Sequence, residues 1–499
     1  MNPLKRKDSW TFKREKTLAN QERIYLDPSV DHDSEPVWSG DGQSLAFLRI
    51  PNSHDDMVFE PKRTGQPWSI RVADASTGRG REVWHADPGR GSVFHGMVAA
   101  NQILWGAGDR LVFPWEHDAW IHLWSVPLSG GPPKLLTPGN FEVEFVTLSP
   151  DKRELVFASN QDDIDHRHLW RESVTGDHPT ALTSGSSIEW SPAMTGDSKA
   201  IAFLHSDAQH PARPAILEGN RTADLAPESM PPDFPADLVT PEQVILSAAD
   251  GLQIHGQLFL PGNAGGGRHP ALVFFHGGSR RQMLLGWHYM GYYHNAYALN
   301  QYLASRGYVV LSVNYRSGIG YGLDFREALN YGAAGASEFN DVLGAGLYLR
   351  SRRDVDPARI GLWGGSYGGY LTALGLARAS DLFACGVDMH GVHDWNLEIP
   401  TFSHSHDPEA RPDAARLAFE SSPLAYVKTW RSPVLLIQGD DDRNVPFSEM
   451  VALVEALRKQ GVDFQQIVFP DEIHDFLLHR SWLAAYHAAS DYFDSHLKR

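Results

Sequence analysis

The sequence predicts two domains of different class. The N-terminal one is all-β and of propeller type, incomplete at about four blades; the C-terminal one is α/β, with a doubly wound, mostly parallel sheet. Three observations predict this: a strand–turn–strand unit recurs between residues 36 and 206, a proline-rich break follows at 225–243, and beyond it apolar runs alternate with amphipathic stretches. At 499 residues the chain is too long for one ordinary domain. A hydrophobic content of 42%, with 15 Trp and 23 Phe, suffices for large cores and excludes general disorder. The net charge of −17 argues against nucleic acid or an anionic membrane as partner. The single cysteine, Cys385, cannot form an intrachain disulfide and sits in the apolar run FACGVDM as a core residue. No run approaches the roughly 18 apolar residues of a membrane span. The first 25 residues are polar and basic, without the apolar core of a secretory signal. As written the chain is expected in the cytoplasm; if its true N-terminus lies upstream, the periplasm or the exterior is the alternative.

Residues 1–35 show no clear periodicity and read as a tail or a strand remnant. Then come four versions of one unit: PVWSGDGQSLAFLR (36–49), ILWGAGDRLVF (103–113), TLSPDKRELVFAS (147–159) and IEWSPAMTGDSKAIAFLHS (188–206). Each is a strand, a polar turn and an apolar strand, closing on Phe47, Phe113, Phe157 and Phe203. The long first interval holds a polar insertion, PNSHDDMVFEPKRTG (51–65). A second unit, a strand ending in a Gly turn, follows three of them at 69–78, 122–131 and 168–177. Two strand pairs per 40–50 residues is the period of a four-stranded blade, with an antiparallel sandwich as the alternative. Residues 36–225 are therefore read as a partial propeller. An unclosed ring leaves an apolar blade face in water, so an open arc is expected, its first face exposed or covered by another chain. Upstream blades would be missing through a truncated start or a genuine shortening. The stretch 226–243 is a semi-rigid linker rich in proline.

From 244 to 499 the rhythm changes. LQIHGQLFL (252–260), ALVFFHG (271–277), YVVLSVNY (308–315), RIGLWG (359–364), ACGVDMHG (384–391), VLLIQGD (434–440) and FQQIVFP (464–470) are apolar nearly throughout, as strands buried on both faces are. Between them lie amphipathic segments such as Phe447–Gln460, with Met450, Leu453, Val454 and Leu457 on one face and Gly461 as its stop. Ligands in such sheets bind beyond the carboxyl ends of the strands.

Three residue types that make a nucleophile follow three of these strands. Ser366 is the only serine with glycine at both −2 and +2, in GLWGGSYGGY (361–370). The glycines permit a tight strand-to-helix turn that exposes the serine Oγ and aims a helix N-terminus at a nascent oxyanion. Asp442 follows VLLIQG in GDDDRNVP, and His474 follows FQQIVFP in PDEIHDF. A serine hydroxyl needs a base, and the base needs an anion to hold its tautomer. The order Ser366, Asp442, His474 is that of the α/β-hydrolase arrangement. Each residue has a plainer reading alone: a glycine-rich turn, a loop aspartate beside Asp440 and Asp441, and one of 24 histidines satisfied locally.

The chain resembles the prolyl oligopeptidase family of serine peptidases, in its dipeptidyl-peptidase and acylaminoacyl-peptidase branches. The resemblance rests on HGG (276–278), NYRSGIGYG (314–322), VDPARIGLWGGSYGGY (355–370), GVHDW (391–395), GDDDRNVP (439–446) and PDEIHDF (470–476), and covers essentially all of 244–499. It implies a serine peptidase acting on short peptides through an acyl-enzyme, an exopeptidase of dipeptidyl or acylaminoacyl type. It selects Asp442 over Asp440 and Asp441 as the acid. By the same resemblance the Tyr367 N–H is one oxyanion donor. His276 falls where some relatives carry a tyrosine hydroxyl; acylaminoacyl-type members have HGG, so a backbone N–H of His276 or Gly277 serves. Tyr370, Val392, Trp395 and Val445 match the pocket for the side chain before the scissile bond, and Asn444 matches a contact to the substrate backbone.

Two departures stand beside the resemblance. The paired-glutamate motif that captures a free amine is not recognisable, although PWEHDAW (114–120) and FEVEF (141–145) hold acidic residues; and four blades are visible where the family has seven or eight. No cofactor or metal is expected, and the HSHD run at 404–407 reads as a polar loop. A homo-oligomer is left open. The alternatives are an esterase or amidase on small acyl substrates, and a catalytically silent interaction protein.

Overall fold

The computed structural model describes residues 12–16, 20–52, 59–262, 267–403 and 407–498. A strand pair, Phe12–Lys16 with Asn20–Ile24, precedes four four-stranded antiparallel sheets. These span His32–His85, Leu104–Leu135, Val143–Ala181 and Ile188–Asp224, each a meander of consecutive strands. The first begins at His32 rather than at 36. In the fourth the outer strands Arg213–Glu218 and Arg221–Asp224 complete a unit that the spacing showed only in the other three.

The repeat has a chemical cause. In three sheets the turn between the first two strands is tied by a hydroxyl donating to an aspartate two residues on: Ser39 to Asp41 at 2.6 Å, Ser149 to Asp151 at 2.7 Å and Thr195 to Asp197 at 2.7 Å. The first strand of the same three sheets carries a bulge, with Glu35, Phe145 and Ser191 at positive φ. A bulge bends its strand and re-aims the side chains beside it. Here it presents Phe145 and Trp190 to Tyr289 of the C-terminal half, with ring centroids 5.4 and 5.9 Å away.

Apolar cores join neighbouring sheets in sequence. Trp68, Trp84 and Phe113 bind the first to the second, Val112, Leu123 and Phe157 the second to the third, and Val156, Leu169 and Phe203 the third to the fourth. No core cluster among the described residues joins the fourth sheet to the first. Among the described residues the four blades are thus joined in series as an arc, first to fourth, by three apolar cores, consistent with a partial propeller.

The C-terminal half is an eight-stranded sheet in the order Glu242–Ser247, Gln253–Phe259, Val309–Asn314, His269–Phe275, Val355–Gly365, Cys385–Met389, Val434–Gly439 and Phe464–Phe469. Its first two pairings are antiparallel and the remaining five parallel. Helices cover both faces, over two cores centred on residues such as Val273, Leu362 and Leu374 on one side and Phe274, Trp363 and Phe493 on the other. Cys385 is fully buried in its strand, and burial raises its thiol far above the ordinary value. Among the described residues no helix is long and apolar enough to cross a membrane.

The arc is held on the sheet by buried polar contacts from several blades. Glu116 takes both guanidinium nitrogens of Arg326 at 2.7 Å. Asn160 donates to the Gly320 carbonyl at 2.8 Å, Arg167 to Gln282 at 2.7 Å, and Ser206 to the Trp287 carbonyl at 2.6 Å. The proline-rich stretch is anchored too: the Val239 N–H donates to the side-chain oxygen of Gln301, whose amide NH2 donates back to the Val239 carbonyl, and Phe234 and Leu238 pack on the core that holds Phe274 and Trp363.

Candidate active site

Ser366 stands between the strand Val355–Gly365 and the helix Tyr367–Arg378 with φ 59° and ψ −122°, a conformation L-residues rarely adopt. The flanking glycines are needed for contact rather than for φ. A Cβ on Gly364 would lie 2.5 Å from the Gly368 carbonyl oxygen and 2.6 Å from that of Phe275. As the first residue of its helix, Tyr367 has an N–H with no intrahelical acceptor.

Asp442 and His474, 32 residues apart in sequence, meet at 2.8 Å between Oδ2 and Nδ1. The other carboxylate oxygen of Asp442 accepts from the N–H groups of Asn444 and Val445 at 2.9 and 3.0 Å. Burial works against its charge, but hydrogen bonding and attraction from His474 outweigh burial and hold the carboxyl below its ordinary value. The neighbouring aspartates are occupied otherwise. Asp440 accepts from the Asp471 N–H at 2.7 Å, and Asp441 pairs with Arg443 on the surface at 2.9 Å. Geometry alone therefore distinguishes the three.

A residue not picked out from sequence links Ser366 to His474. His390 is fully buried, its ring 4.3 Å from that of His474, and its Nδ1 accepts from the Ser366 N–H at 3.0 Å. The ligand atoms of His390, Asp442 and His474 lie within 4.8 Å of one another. Residues 404–406 of the HSHD run lie outside the described residues.

In the HGG segment the backbone and the side chain of His276 turn apart. The His276 imidazole is turned inward, stacked 4.3 Å from Tyr315, with Nδ1 donating to the Gly277 carbonyl at 3.0 Å. Burial depresses its pKa to about 3, so the ring is neutral. Its own carbonyl accepts from the Tyr315 hydroxyl at 2.7 Å. Gly277 passes so close to the serine that a Cβ there would meet the Ser366 Cβ at 3.1 Å and the Gly365 oxygen at 2.8 Å. The donor available from this segment is backbone, not imidazole.

Tyr370, Val392, Trp395 and Val445 share one buried cluster, with Trp395 5.0 Å from Tyr370 and 5.7 Å from Tyr367 between ring centroids. Asn444 is exposed on the loop beside it. Phe59, from the polar insertion of the first blade, lies edge-on to Trp395 at 4.6 Å and to Tyr331 at 5.3 Å. Only an aromatic in an otherwise polar insertion signalled this contact. Glu398, one helical turn after Trp395, has one carboxylate oxygen with no hydrogen-bond partner. Burial, and then the nearby Glu449, raise its pKa to about 8.

A carboxyl whose folded pKa is raised contributes fully only below its unfolded value, and stability falls as pH rises towards the folded one. Between about pH 5 and 8 the melting temperature is therefore expected to fall, and Glu398→Gln to flatten that fall. Calorimetric melts of both proteins across the window check it; parallel curves would remove Glu398 as the cause.

The glutamates of PWEHDAW and FEVEF all reach the C-terminal half, while Asp118 faces His122 of its own blade at 3.4 Å. Glu116 binds Arg326, and Glu144 binds Arg167 at 2.9 Å and the Tyr289 hydroxyl at 3.2 Å. Glu142 accepts from the Gly320 N–H at 3.0 Å, and burial raises its pKa. With Glu144, His95, Arg280 and Arg326 it borders a cavity of about 260 Å³ between the arc and the sheet. Arg280 connects this cavity to the aromatic cluster, its guanidinium 4.9 Å over the Tyr331 ring.

Comparison with known proteins agrees with this architecture. Residues 295–499 match the prolyl oligopeptidase family, and residues 57–212 match the dipeptidyl peptidase IV N-terminal region. The dipeptidyl aminopeptidase BIII of Pseudoxanthomonas mexicana is 34% identical over 220 residues, 42% of this chain and 30% of that protein. The acylamino-acid-releasing enzyme of Arabidopsis thaliana is 33% identical over 187 residues, 35% of this chain and 24% of that one. The chain thus aligns with less than a third of the length of either. A solved structure of a Mycobacterium tuberculosis puromycin-hydrolyzing peptidase superposes with a TM-score of 0.78 at 22% identity, covering 95% of this chain and 72% of that one, which establishes a shared fold.

Proposed function

From the premise that the chain belongs to the prolyl oligopeptidase family, carried by residues 295–499, we propose that it is a serine exopeptidase cleaving short peptides through an acyl-enzyme, of dipeptidyl or acylaminoacyl type. The observation that carries this reading is the 2.8 Å pairing of Asp442 with His474 beside the strained turn of Ser366.

The Ser366 Oγ attacks the scissile carbonyl while His474 takes its proton. Asp442 holds the His474 Nδ1–H, so that Nε2 is the basic nitrogen, and stabilises the imidazolium. The N–H groups of Tyr367 and the HGG backbone receive the oxyanion. His474 then returns the proton to the leaving amine, and water repeats the sequence to free the acid. Tyr370, Val392, Trp395 and Val445 form the pocket for the side chain before the cut. That pocket suits proline or another small apolar residue, and Asn444 holds the substrate backbone. The rest of the substrate extends towards the cavity under the arc.

We divide the chain functionally at the proline-rich stretch 226–243, with 36–225 as the substrate-gating part and 244–499 as the catalytic part. Side-by-side hydrolysis of a dipeptidyl-proline amide, an acylated amino-acid amide and a short-chain ester tests the reading. Preference for either amide supports it. Preference for the ester supports an esterase using the same three residues, and no turnover of any supports a silent interaction protein.

A further inference from the structure

The backbone N–H and both ring nitrogens of His390 are committed. Its backbone N–H donates to the Ile437 carbonyl at 2.7 Å, on the strand that leads to Asp442. Its Nδ1 accepts from the Ser366 N–H, which also reaches the Met389 carbonyl at 2.9 Å. Its Nε2 lies 3.2 Å from the Tyr292 hydroxyl, and one ring face lies against His474. One residue, through its backbone N–H and its imidazole, thus touches the strand ends or loops that bear Ser366, Asp442 and His474.

The tautomer follows from the donors. A backbone N–H can only donate, so Nδ1 carries a lone pair and the proton sits on Nε2, directed to the Tyr292 oxygen. Burial, and then the neighbouring His474, press the His390 pKa well below its ordinary value, which keeps the ring neutral. Neutrality matters, since a second proton would remove the acceptor for Ser366 and set a cation against His474. Both Ser366 and His390 have positive φ, 59° and 41°. Such backbone persists only where surrounding contacts over-determine it, and here each of the two residues is the other's contact.

We propose that His390 is the positioning residue of the nucleophile turn: its neutral Nε2–H imidazole fixes the Ser366 backbone by accepting its N–H and sets the plane of the His474 ring by packing on it. This rests on the serine-peptidase reading above. His390 touches no reacting atom; it acts through Ser366 and His474.

The test separates the two claims. Wild-type protein is first exposed to a fluorophosphonate probe. Absent labelling, or labelling that survives Ser366→Ala, overturns the peptidase reading itself, whatever His390 does. With labelling established, His390→Leu and His390→Asn are compared. Both side chains branch at Cγ and both lose the ring, but only Asn offers an oxygen where Nδ1 stood. The Leu variant is expected to lose kcat and labelling rate together, on the order of 10²-fold as a misplaced nucleophile does, with KM nearly unchanged. Asn is expected to recover about tenfold of that loss although its melting temperature falls as far as that of Leu. His390→Gln, whose amide reaches the Nε2 position instead, is expected to match Leu; the Asn–Gln contrast decides the question should Leu not fold. A Leu variant within about twofold of wild type, or Asn no faster than Gln and Leu, overturns the positioning role.

Discussion

Ser366→Ala is expected to abolish turnover, by about 10⁶-fold if the three residues act as a unit, and to end labelling by a fluorophosphonate. The argument is geometric. The turn at Ser366 is strained, flanked by glycines whose replacement would bring a Cβ against backbone, and held by Met389 and His390 on the adjoining strand end. Alanine removes one oxygen and leaves these contacts in place, so the protein should fold and the loss should fall on kcat. Unchanged labelling of the variant would mean that another nucleophile reacts.

Asp442→Asn is expected to cost on the order of 10⁴ in rate, because an amide facing Nδ1 can donate and so favours the wrong histidine tautomer. The adjacent aspartates make the control. Asp441 is paired with Arg443 on the surface, and Asp440 accepts from the Asp471 N–H through an oxygen that asparagine would keep. Asp440→Asn and Asp441→Asn are each expected to stay within about tenfold of wild type. A larger loss at Asp441 than at Asp442 would show that the acid had been assigned to the wrong position of the loop.

The blades bear on the candidate site through the side chains they bring to it. What the arc supplies is chemical: Phe59 against Trp395, and a polar cavity bounded by Glu142, Glu144, Arg280 and Arg326.

Much of this was legible in the amino acids themselves. Strands buried on both faces must be apolar throughout, so the central strands of the sheet announced themselves. A turn as tight as that at Ser366 needs glycine, and three of the four blade turns are tied by a hydroxyl and an aspartate two residues apart, so both wrote short patterns into the chain. Asp442 and His474 could be placed after strands because catalytic groups in such sheets lie at strand ends.

The tertiary structure alone decided what depends on contacts distant in sequence. It placed Phe59 on Trp395 across more than half the chain, turned the His276 ring inward, and spent Glu116 on an arginine of the other half and Glu144 on one of its own blade. It also set His390 between Ser366 and His474. None of these carries a period or a local signature. A buried histidine satisfied by one backbone N–H and one tyrosine looks, along the chain, like any other. Its role exists only where the ends of separate strands converge, because hydrogen bonding acts over about 3 Å of space however many residues intervene.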